Sequence, residues 1–300
     1  MADRASGKRR RLHGGLLETT RPLVAVGAHD AMTARLIGQR GFDACWVSGL
    51  GVSTMAHALP DLNLTTMNEI LEAAIRIDRA TELPVLADCD NGFGSFSNVL
   101  RTAREFERAG IAGICVEDNT FPKRNSLYLG ESRRELIPTR EQARRIRAAK
   151  HSQDSEDFVF VARVEALIAG YGVEEACDRA DAYVEAGADA ILIHSRDRTL
   201  SDIEEFLASW TGTGTVPLVS VPTLYPDYTV EQLGDKGFRL VIFANQPMRA
   251  SVAAMERVLD GLRSQRKAAA VDPVIASVDH IFELVGTTEA IDLEEGVSNG

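Results

Sequence analysis

Residues 86–126 hold the side chains with the clearest chemistry. The stretch opens L-A-D-C-D-N-G-F-G and closes I-C-V-E-D-N-T-F-P-K-R-N-S. Two apolar runs, 84–87 and 111–116, read as buried strands, and each stops at acid: Asp88 and Asp90 after the first, Glu117 and Asp118 after the second. In a parallel α/β fold neighbouring strands end on one face, so up to four carboxylates crowd one space. Like charges that close repel, and a divalent cation relieves them. An all-oxygen set suits Mg²⁺, or Mn²⁺, better than zinc. The plain alternative is that Asp90 only caps a helix before Gly92. The loop that follows brings a cation and an amide, Lys123 and Asn125.

These side chains need a frame. Strand-like runs centre near residues 25, 46, 86, 115, 161, 192, 219 and 242. Helix-like runs alternate with them, and several helices close on a glycine that feeds the next strand, as in G-F-D-A-C-W-V-S and G-A-D-A-I-L-I-H. Eight βα units over about 250 residues predict a (β/α)8 TIM barrel. A doubly wound open sheet is the rival, but no G-x-G-x-x-G follows the first strand. Asp30 is the expected cap of a helix over 31–39, and Thr65 or Thr66 that of a helix to about Ala80, with Glu69 placed for a capping box from Thr66. Residues 51–64 read as loop, and Ser201 as the cap of a helix over 201–210. Residues 119–138, with Gly130, lack periodicity and read as a functional loop or lid. The expected division is a disordered, basic, solvated tail over 1–20, a barrel over 21–266 and a helical extension over 267–300. In the extension, 275–285 form a short helix and the acidic end is loose.

The 300 residues carry a net charge of −11, which argues against nucleic acid or an anionic membrane as the main partner. A small anionic substrate remains compatible, because a local site can be positive on an acidic protein. Cys45, Cys89, Cys115 and Cys177 show no C-x-x-C pairing and read as small buried thiols. No secretory segment or long apolar run is present, so the expected location is cytoplasmic.

Barrel sites form at the carboxyl ends of strands. Those ends carry Ser48 and Gly49, Asp88 and Asp90, Glu117, Arg163 and Glu165, His194, Thr223, and Asn245. Acid lies on the third and fourth strands, cation and imidazole on the fifth and sixth. This suits a metal on one side and an anion gripped from the other. Arg163 offers a planar fork for carboxylate or phosphate, or else pairs with Glu165 or Glu117. His194 reads as a site imidazole or as a satisfied core histidine. The Ser48-Gly49-Leu50-Gly51 turn can present backbone N–H groups to an anion. With no lysine at a strand end, a Schiff-base aldolase is disfavoured.

Taken together, W-x-S-G-L at 46–50, D-x-D-x-G-F-G at 88–94, E-D-x-x-F-P-K-x-N-S at 117–126, A-R-V-E-A at 162–166 and I-H-S at 193–195 resemble the phosphoenolpyruvate mutase family of the isocitrate lyase superfamily. The resemblance covers about residues 22–265. It implies a barrel whose last helix swaps onto a neighbour, a homotetramer, and Mg²⁺. By resemblance, Asp88 is the direct metal ligand, while Asp90 and Glu117 hold its waters. Ser48, Gly49, Leu50 and Arg163 grip the pyruvyl end of the substrate. Lys123, Asn125 and Ser126 are lid groups at the phosphoryl, with His194 beside them, and Asp61 and Trp46 also match family positions. The implied reaction interconverts phosphoenolpyruvate and 3-phosphonopyruvate, with a phosphonopyruvate decarboxylase drawing product into phosphonate biosynthesis. Phosphonopyruvate hydrolases share most motifs but carry Thr at the position of Asn125. Carbon–carbon lyases carry K-K-C-G-H on the loop that here reads F-P-K-R-N-S, and oxaloacetate-cleaving relatives stay as an alternative. Asn119, Cys89 and Asn91 depart from the family's usual Lys, Ala and Thr. A non-enzymatic scaffold is the reading from another class, and the retained acid cluster, Arg163 and Lys123 argue against it.

Overall fold

The computed structural model describes residues 2–18, 21–128, 134–212, 214 and 216–298. Eight parallel strands close into a barrel in sequence order: β1 (Leu23–Ala28), β2 (Ala44–Val47), β3 (Val85–Asp88), β4 (Gly113–Glu117), β5 (Val159–Val164), β6 (Ala190–Ile193), β7 (Leu218–Ser220) and β8 (Phe238–Phe243), with β8 pairing back onto β1. The expected (β/α)8 barrel is the fold. In chain order the helices are α1 (Ala2–Leu17), α2 (Ala31–Gly38), α3 (Gly49–His57), α4 (Met67–Ala80), α5 (Phe96–Arg108), α6 (Thr139–Ser152), α7 (Ala166–Ala169), α8 (Val173–Glu185), α9 (Ser201–Ser209), α10 (Val230–Asp235), α11 (Gln246–Gln265), α12 (Val278–Val285) and α13 (Thr287–Ser298).

Strand alternation sorts the side chains into two cores. Trp46, Leu86, Cys115, Val159, Val161, Leu192 and Ile242 fill the barrel interior. Cys45, Val47, Ala87, Val116, Phe160, Ala162 and Ile193 face the helices instead. The same parity, carried to the strand ends, turns Ser48, Asp88, Glu117, Arg163 and His194 inward, where all five line one cavity. It turns Asp118 outward. That carboxylate accepts from Tyr183 Oη at 2.7 Å, Arg179 Nη1 at 3.0 Å and the Glu165 N–H at 2.9 Å. The expected crowd of four acids therefore loses Asp118, which instead pins the end of β4 to α8.

Local sequence explains most of the elements. Asp30 caps α2 through the Thr33 N–H at 2.7 Å, and Thr66 with Glu69 forms the capping box of α4. Four expectations need correction. Residues 51–64 are not all loop: α3 begins at Gly49, with Ser48 Oγ accepting from the Gly51 N–H at 3.1 Å, and only residues 58–66 are irregular. Ser201 is the first residue of α9 rather than its cap, and Asp197 accepts its N–H at 2.6 Å. The acidic end is helical, as α13. The segment 1–20 is not a solvated tail over its described part. In α1, Lys8, Leu12 and Leu16 recur every fourth residue on one buried face. Leu12 and Leu16 join the barrel-interior core, and Lys8 bonds Asp78 Oδ1 at 2.6 Å and the Thr81 carbonyl at 2.7 Å.

The chain divides into two compact units, 1–248 and 249–300, so the boundary lies within α11, ahead of the expected 266/267. In the second unit, Val278, Phe282 and Val285 of α12 and Ile291 and Leu293 of α13 are exposed. Among the described residues no helix is long and apolar enough to cross a membrane.

Candidate active site

A cavity of about 60 Å³ at the carboxyl end of the barrel is lined by Trp46, Ser48, Leu50, Asp61, Asp88, Glu117, Lys123, Asn125, Ser126, Leu127, Arg163, His194, Val221, Thr223, Ala244 and Asn245. Most of the side chains singled out in the sequence line this space. Asp90 and Gly49 do not line it but stand next to it. A Cβ placed on Gly49 would lie 3.3 Å from Asp88 Oδ2 and 3.4 Å from Asp90 Oδ1, so glycine lets the first turn of α3 close on both acids. The turn expected as an anion nest is this helix N-terminus, whose first N–H groups favour negative charge.

Residues 119–128 form the wall opposite the barrel, while Gly130 lies outside the described residues. Lys123 reaches from this segment into the acid cluster. Its Nζ lies 2.8 Å from Asp61 Oδ1 and also bonds Asp90 Oδ1. Burial alone would lower the ammonium's pKa, but Asp90, Asp61 and Glu117 raise it well above the usual lysine value. Lys123 is thus a fixed cation and no Schiff-base nucleophile. Asp90 does not cap a helix. Burial lifts its pKa to about 6, against the pull of Lys123.

Arg163 makes the second cationic pole, and the ion pairs expected with Glu165 and Glu117 are both present. It lines the cavity while Nε donates to Glu165 Oε1 at 2.6 Å and Nη1 lies 3.5 Å from Glu117 Oε2. Burial would raise Glu165, yet Arg163 and the Ser126 hydroxyl hold it below the usual carboxylate value. Glu117 has weaker partners, and burial pushes it up to about 8. Asn119 Nδ2 sits 3.1 Å from Glu117 Oε1 and 3.5 Å from Glu165 Oε2, so this departure from the family pattern places a neutral donor between two acids. His194 is buried with Nδ1 unpartnered, and burial and Arg163 lower its pKa to about 4, which makes it a neutral imidazole at neutral pH. Asn125 donates from Nδ2 to Asp61 Oδ2 at 2.5 Å, and Ser126 Oγ donates to Glu165 Oε2 at 2.8 Å.

Three residues of the site are marked poorly or not at all by the sequence patterns: Glu165, which the sequence offers only as a strand end and a partner for Arg163, together with Asn63 and Arg134. Arg134 donates to the carbonyls of Arg124, Asn125 and Tyr128 at 2.8, 2.6 and 3.0 Å and so shapes the wall. No motif in the sequence marks either residue.

The acid set can hold a hydrated divalent cation. Among the described residues, Asp61, Asp88, Asp90, Glu117 and Glu165 outnumber the cations that act on them, Lys123 and Arg163 at close range and Arg134 on Glu117 and Glu165, so the cluster favours a further positive charge. Among the described residues no three His, Cys, Asp or Glu side chains converge as direct chelators. Mg²⁺ keeps several waters and takes one or two carboxylates. Asp88 has an oxygen to offer: Oδ1 accepts from the Asp90 N–H at 3.2 Å, and Oδ2 has no donor among the described residues. Asp90 and Glu117 already hold protein donors, as carboxylates bound through water can.

Comparison with known proteins places this geometry. The family model described as phosphoenolpyruvate phosphomutase matches residues 12–263. The phosphoenolpyruvate phosphomutase of Tetrahymena pyriformis is 40% identical over 262 residues, 87% of this chain and 86% of the relative. The phosphonopyruvate hydrolase of Variovorax sp. (strain Pal2) is 42% identical over 273 residues, 90% of this chain and 92% of the relative. A solved phosphoenolpyruvate phosphomutase from Streptomyces platensis subsp. rosaceus superposes with a TM-score of 0.91 at 38% identity, covering 96% of this chain and 98% of that one. A phosphonopyruvate hydrolase solved with oxalate and Mg²⁺ gives a TM-score of 0.88 at 39% identity, with the same coverage.

Proposed function

The chain belongs to the phosphoenolpyruvate mutase family of the isocitrate lyase superfamily, and from that premise we propose that it is a Mg²⁺-dependent phosphoenolpyruvate mutase. The reaction moves a phosphoryl group within one molecule. The P–O bond of phosphoenolpyruvate breaks, the enolate electron pair forms a P–C bond at the methylene carbon, and no net proton transfer is needed. Such a transfer requires positioning, charge neutralisation and exclusion of water more than covalent help. Asp88 would hold the metal directly, with Asp90 and Glu117 acting through its waters. When bound, Mg²⁺ would supply positive charge to the enolate oxygen.

The chain's own residues supply the remainder. Arg163 and the first turn of α3, with Ser48, Gly49 and Leu50, offer donors to the pyruvyl carboxylate. Lys123 and Asn125 stand on the opposite wall, next to neutral His194, as hydrogen-bond donors for a phosphoryl in flight, and Ser126 beside them holds Arg163 and Glu165 in place. Trp46 closes the apolar floor of the cavity. The observation that carries the proposal is the pair of contacts from Asp61, to Lys123 Nζ at 2.8 Å and Asn125 Nδ2 at 2.5 Å, which sets an ammonium and an amide side by side above the acids.

Hydrolysis of phosphonopyruvate is the second reading, favoured by the 42% identity to a hydrolase. Asn125, where hydrolases of the family carry Thr, speaks for the mutase. The F-P-K-R-N-S loop, with neither Cys nor His, speaks against carbon–carbon lysis. Phosphonopyruvate and Mg²⁺ added to purified protein, followed by ³¹P NMR with an EDTA control, separates these readings. Phosphoenolpyruvate that is lost with EDTA supports the mutase. Phosphate and pyruvate support the hydrolase, and no change with phosphonopyruvate rejects both.

The rest of the proposal follows from the family likeness. The exposed apolar residues of α12 and α13 support a swapped-helix homotetramer, which light scattering tests. A cytoplasmic enzyme of this kind would feed a phosphonopyruvate decarboxylase in phosphonate biosynthesis.

A further inference from the structure

We infer that Asn63 is a positioning residue that fastens the 119–128 wall over the site through its side-chain amide. Asn63 lies in the connection between α3 and α4 and reaches two other segments. Its Oδ1 accepts from the Lys123 backbone N–H at 2.6 Å and from Asn91 Nδ2 at 3.2 Å, while its Nδ2 donates to Asp90 Oδ2 at 2.9 Å. A carboxylate only accepts and a peptide N–H only donates, so these partners fix which end of the amide faces which. The backbone has φ of +57°, a left-handed conformation that asparagine tolerates better than most side chains.

The result is a double clasp on Lys123. Its ammonium is held by Asp61 and by Asp90 Oδ1, and its backbone by Asn63. Asn63 at the same time holds the other oxygen of Asp90. One amide therefore ties the wall's backbone to the carboxylate that receives the wall's cation. Placement of Lys123 and orientation of Asp90 become one event. Without the amide, a peptide N–H and a buried carboxylate oxygen both lose a partner, and opening of the wall to water becomes easier.

The turnover part of this inference rests on the proposed mutase reaction, whereas the clasp itself is read without turnover. Arg124 is exposed and directly follows Lys123, so trypsin cleavage after Arg124, followed by mass spectrometry, reports opening of the wall. Cleavage after Arg76, exposed on α4, is the internal reference for general unfolding. Asn63→Gly removes the side chain at a backbone angle that glycine adopts freely. Asn63→Asp keeps the acceptor for the Lys123 N–H but turns a like charge toward Asp90.

Relative to the Arg76 reference, cutting after Arg124 is expected to run about tenfold faster in Asn63→Gly than in wild type. With phosphonopyruvate and Mg²⁺, kcat is expected to fall about tenfold and the share of inorganic phosphate to rise. Asn63→Asp is expected to show faster cutting as well. Equal relative cutting in wild type and both variants overturns the inference, whatever the reaction. Faster cutting in the variants with no turnover in any form, wild type included, upholds the clasp and sinks the mutase reading instead.

Discussion

Arg163 Nη2 donates to Ser126 Oγ at 2.7 Å, and the same hydroxyl donates onward to Glu165 Oε2 at 2.8 Å. Ser126 is therefore a bridge from the 119–128 wall to the end of β5, made through the one arginine that faces the cavity from that strand. The hydroxyl both accepts and donates, so alanine removes two buried bonds at once. Ser126→Ala is expected to lower kcat/KM about tenfold, through a looser wall, while the fold keeps its stability to within about 2 kcal/mol. Steady-state kinetics and urea midpoints check the two halves. Unchanged kcat/KM would show that the bridge does not steer the wall.

By the family resemblance Asn125 stands where phosphonopyruvate hydrolases carry Thr, and here its Nδ2 meets Asp61 Oδ2 at 2.5 Å. Its Oδ1 also accepts from the Leu127 N–H at 2.9 Å, so the amide is held from both ends. Asn125→Ala removes a fixed donor from the phosphoryl side and is expected to cost about 10²-fold in turnover, the usual scale for one preorganised donor. Asn125→Thr shortens the side chain and is expected to shift product from phosphoenolpyruvate toward pyruvate and phosphate. Integrated ³¹P spectra give the partition, and an unshifted ratio for the threonine variant would mean that this position does not control access of water.

Much of this site is legible in the sequence because two simple periodicities carry it. Alternation along β3, β4, β5 and β6 decides that Asp88, Glu117, Arg163 and His194 face in, and it equally sends Asp118 out toward Arg179. Parity counted back from the end of β4 puts Asp118 outside the acid cluster. Capping rules locate α2 and α4 to within a residue. The failures have physical causes of their own. Helix α3 opens with Gly-Leu-Gly, which has poor helix propensity, and forms because Ser48 caps it and the barrel packs against it. In α1, charge hid the helix: the run Lys8 to Arg11 reads as a solvated tail unless Lys8 is grouped with Leu12 and Leu16 by the four-residue spacing. Asn63 and Arg134 act through backbone groups distant in sequence, and no local pattern encodes such contacts.

His194 gives the fold a pH dependence of known sign. Its folded pKa is about 4, lowered from 6.5 by burial and by Arg163. Below about pH 6.5 the unfolded chain takes up a proton at this position that the folded chain refuses. Its contribution therefore destabilises the fold progressively as pH falls from about 6.5 to 4, by about 3 kcal/mol in all. Buried acids whose values are raised, such as Glu117, work in the opposite direction, so total stability does not isolate the imidazole. The comparison that does is wild type against His194→Asn, with urea midpoints at pH 7 and at pH 4.5. The variant is expected to lose less stability on acidification, and parallel losses would place the imidazole's pKa near its usual value.

Lys8 tests whether α1 belongs to the fold. Its ammonium is 1% exposed, bonds Asp78 Oδ1 at 2.6 Å, and donates to the carbonyls of Asp78 and Thr81 at 3.0 and 2.7 Å. Burial lowers its pKa in spite of the Asp78 partner, so the charge is held at some cost. Removing one member of a buried pair leaves the other charge and its acceptors uncompensated. Arg4 also reaches Asp78, with Nη1 at 3.0 Å from Oδ2, and softens that loss. Lys8→Met keeps the length and apolar stem of the side chain and is expected to destabilise the protein by about 3 kcal/mol, near the low end for a broken buried pair. The site at the opposite end of the barrel keeps its geometry, so kcat in the folded variant is expected to match wild type. Thermal and urea unfolding measure the first effect and initial rates the second. If Lys8→Met unfolds at the wild-type midpoint, the Lys8–Asp78 pair does not hold α1 to the barrel, and Leu12 and Leu16 alone anchor it.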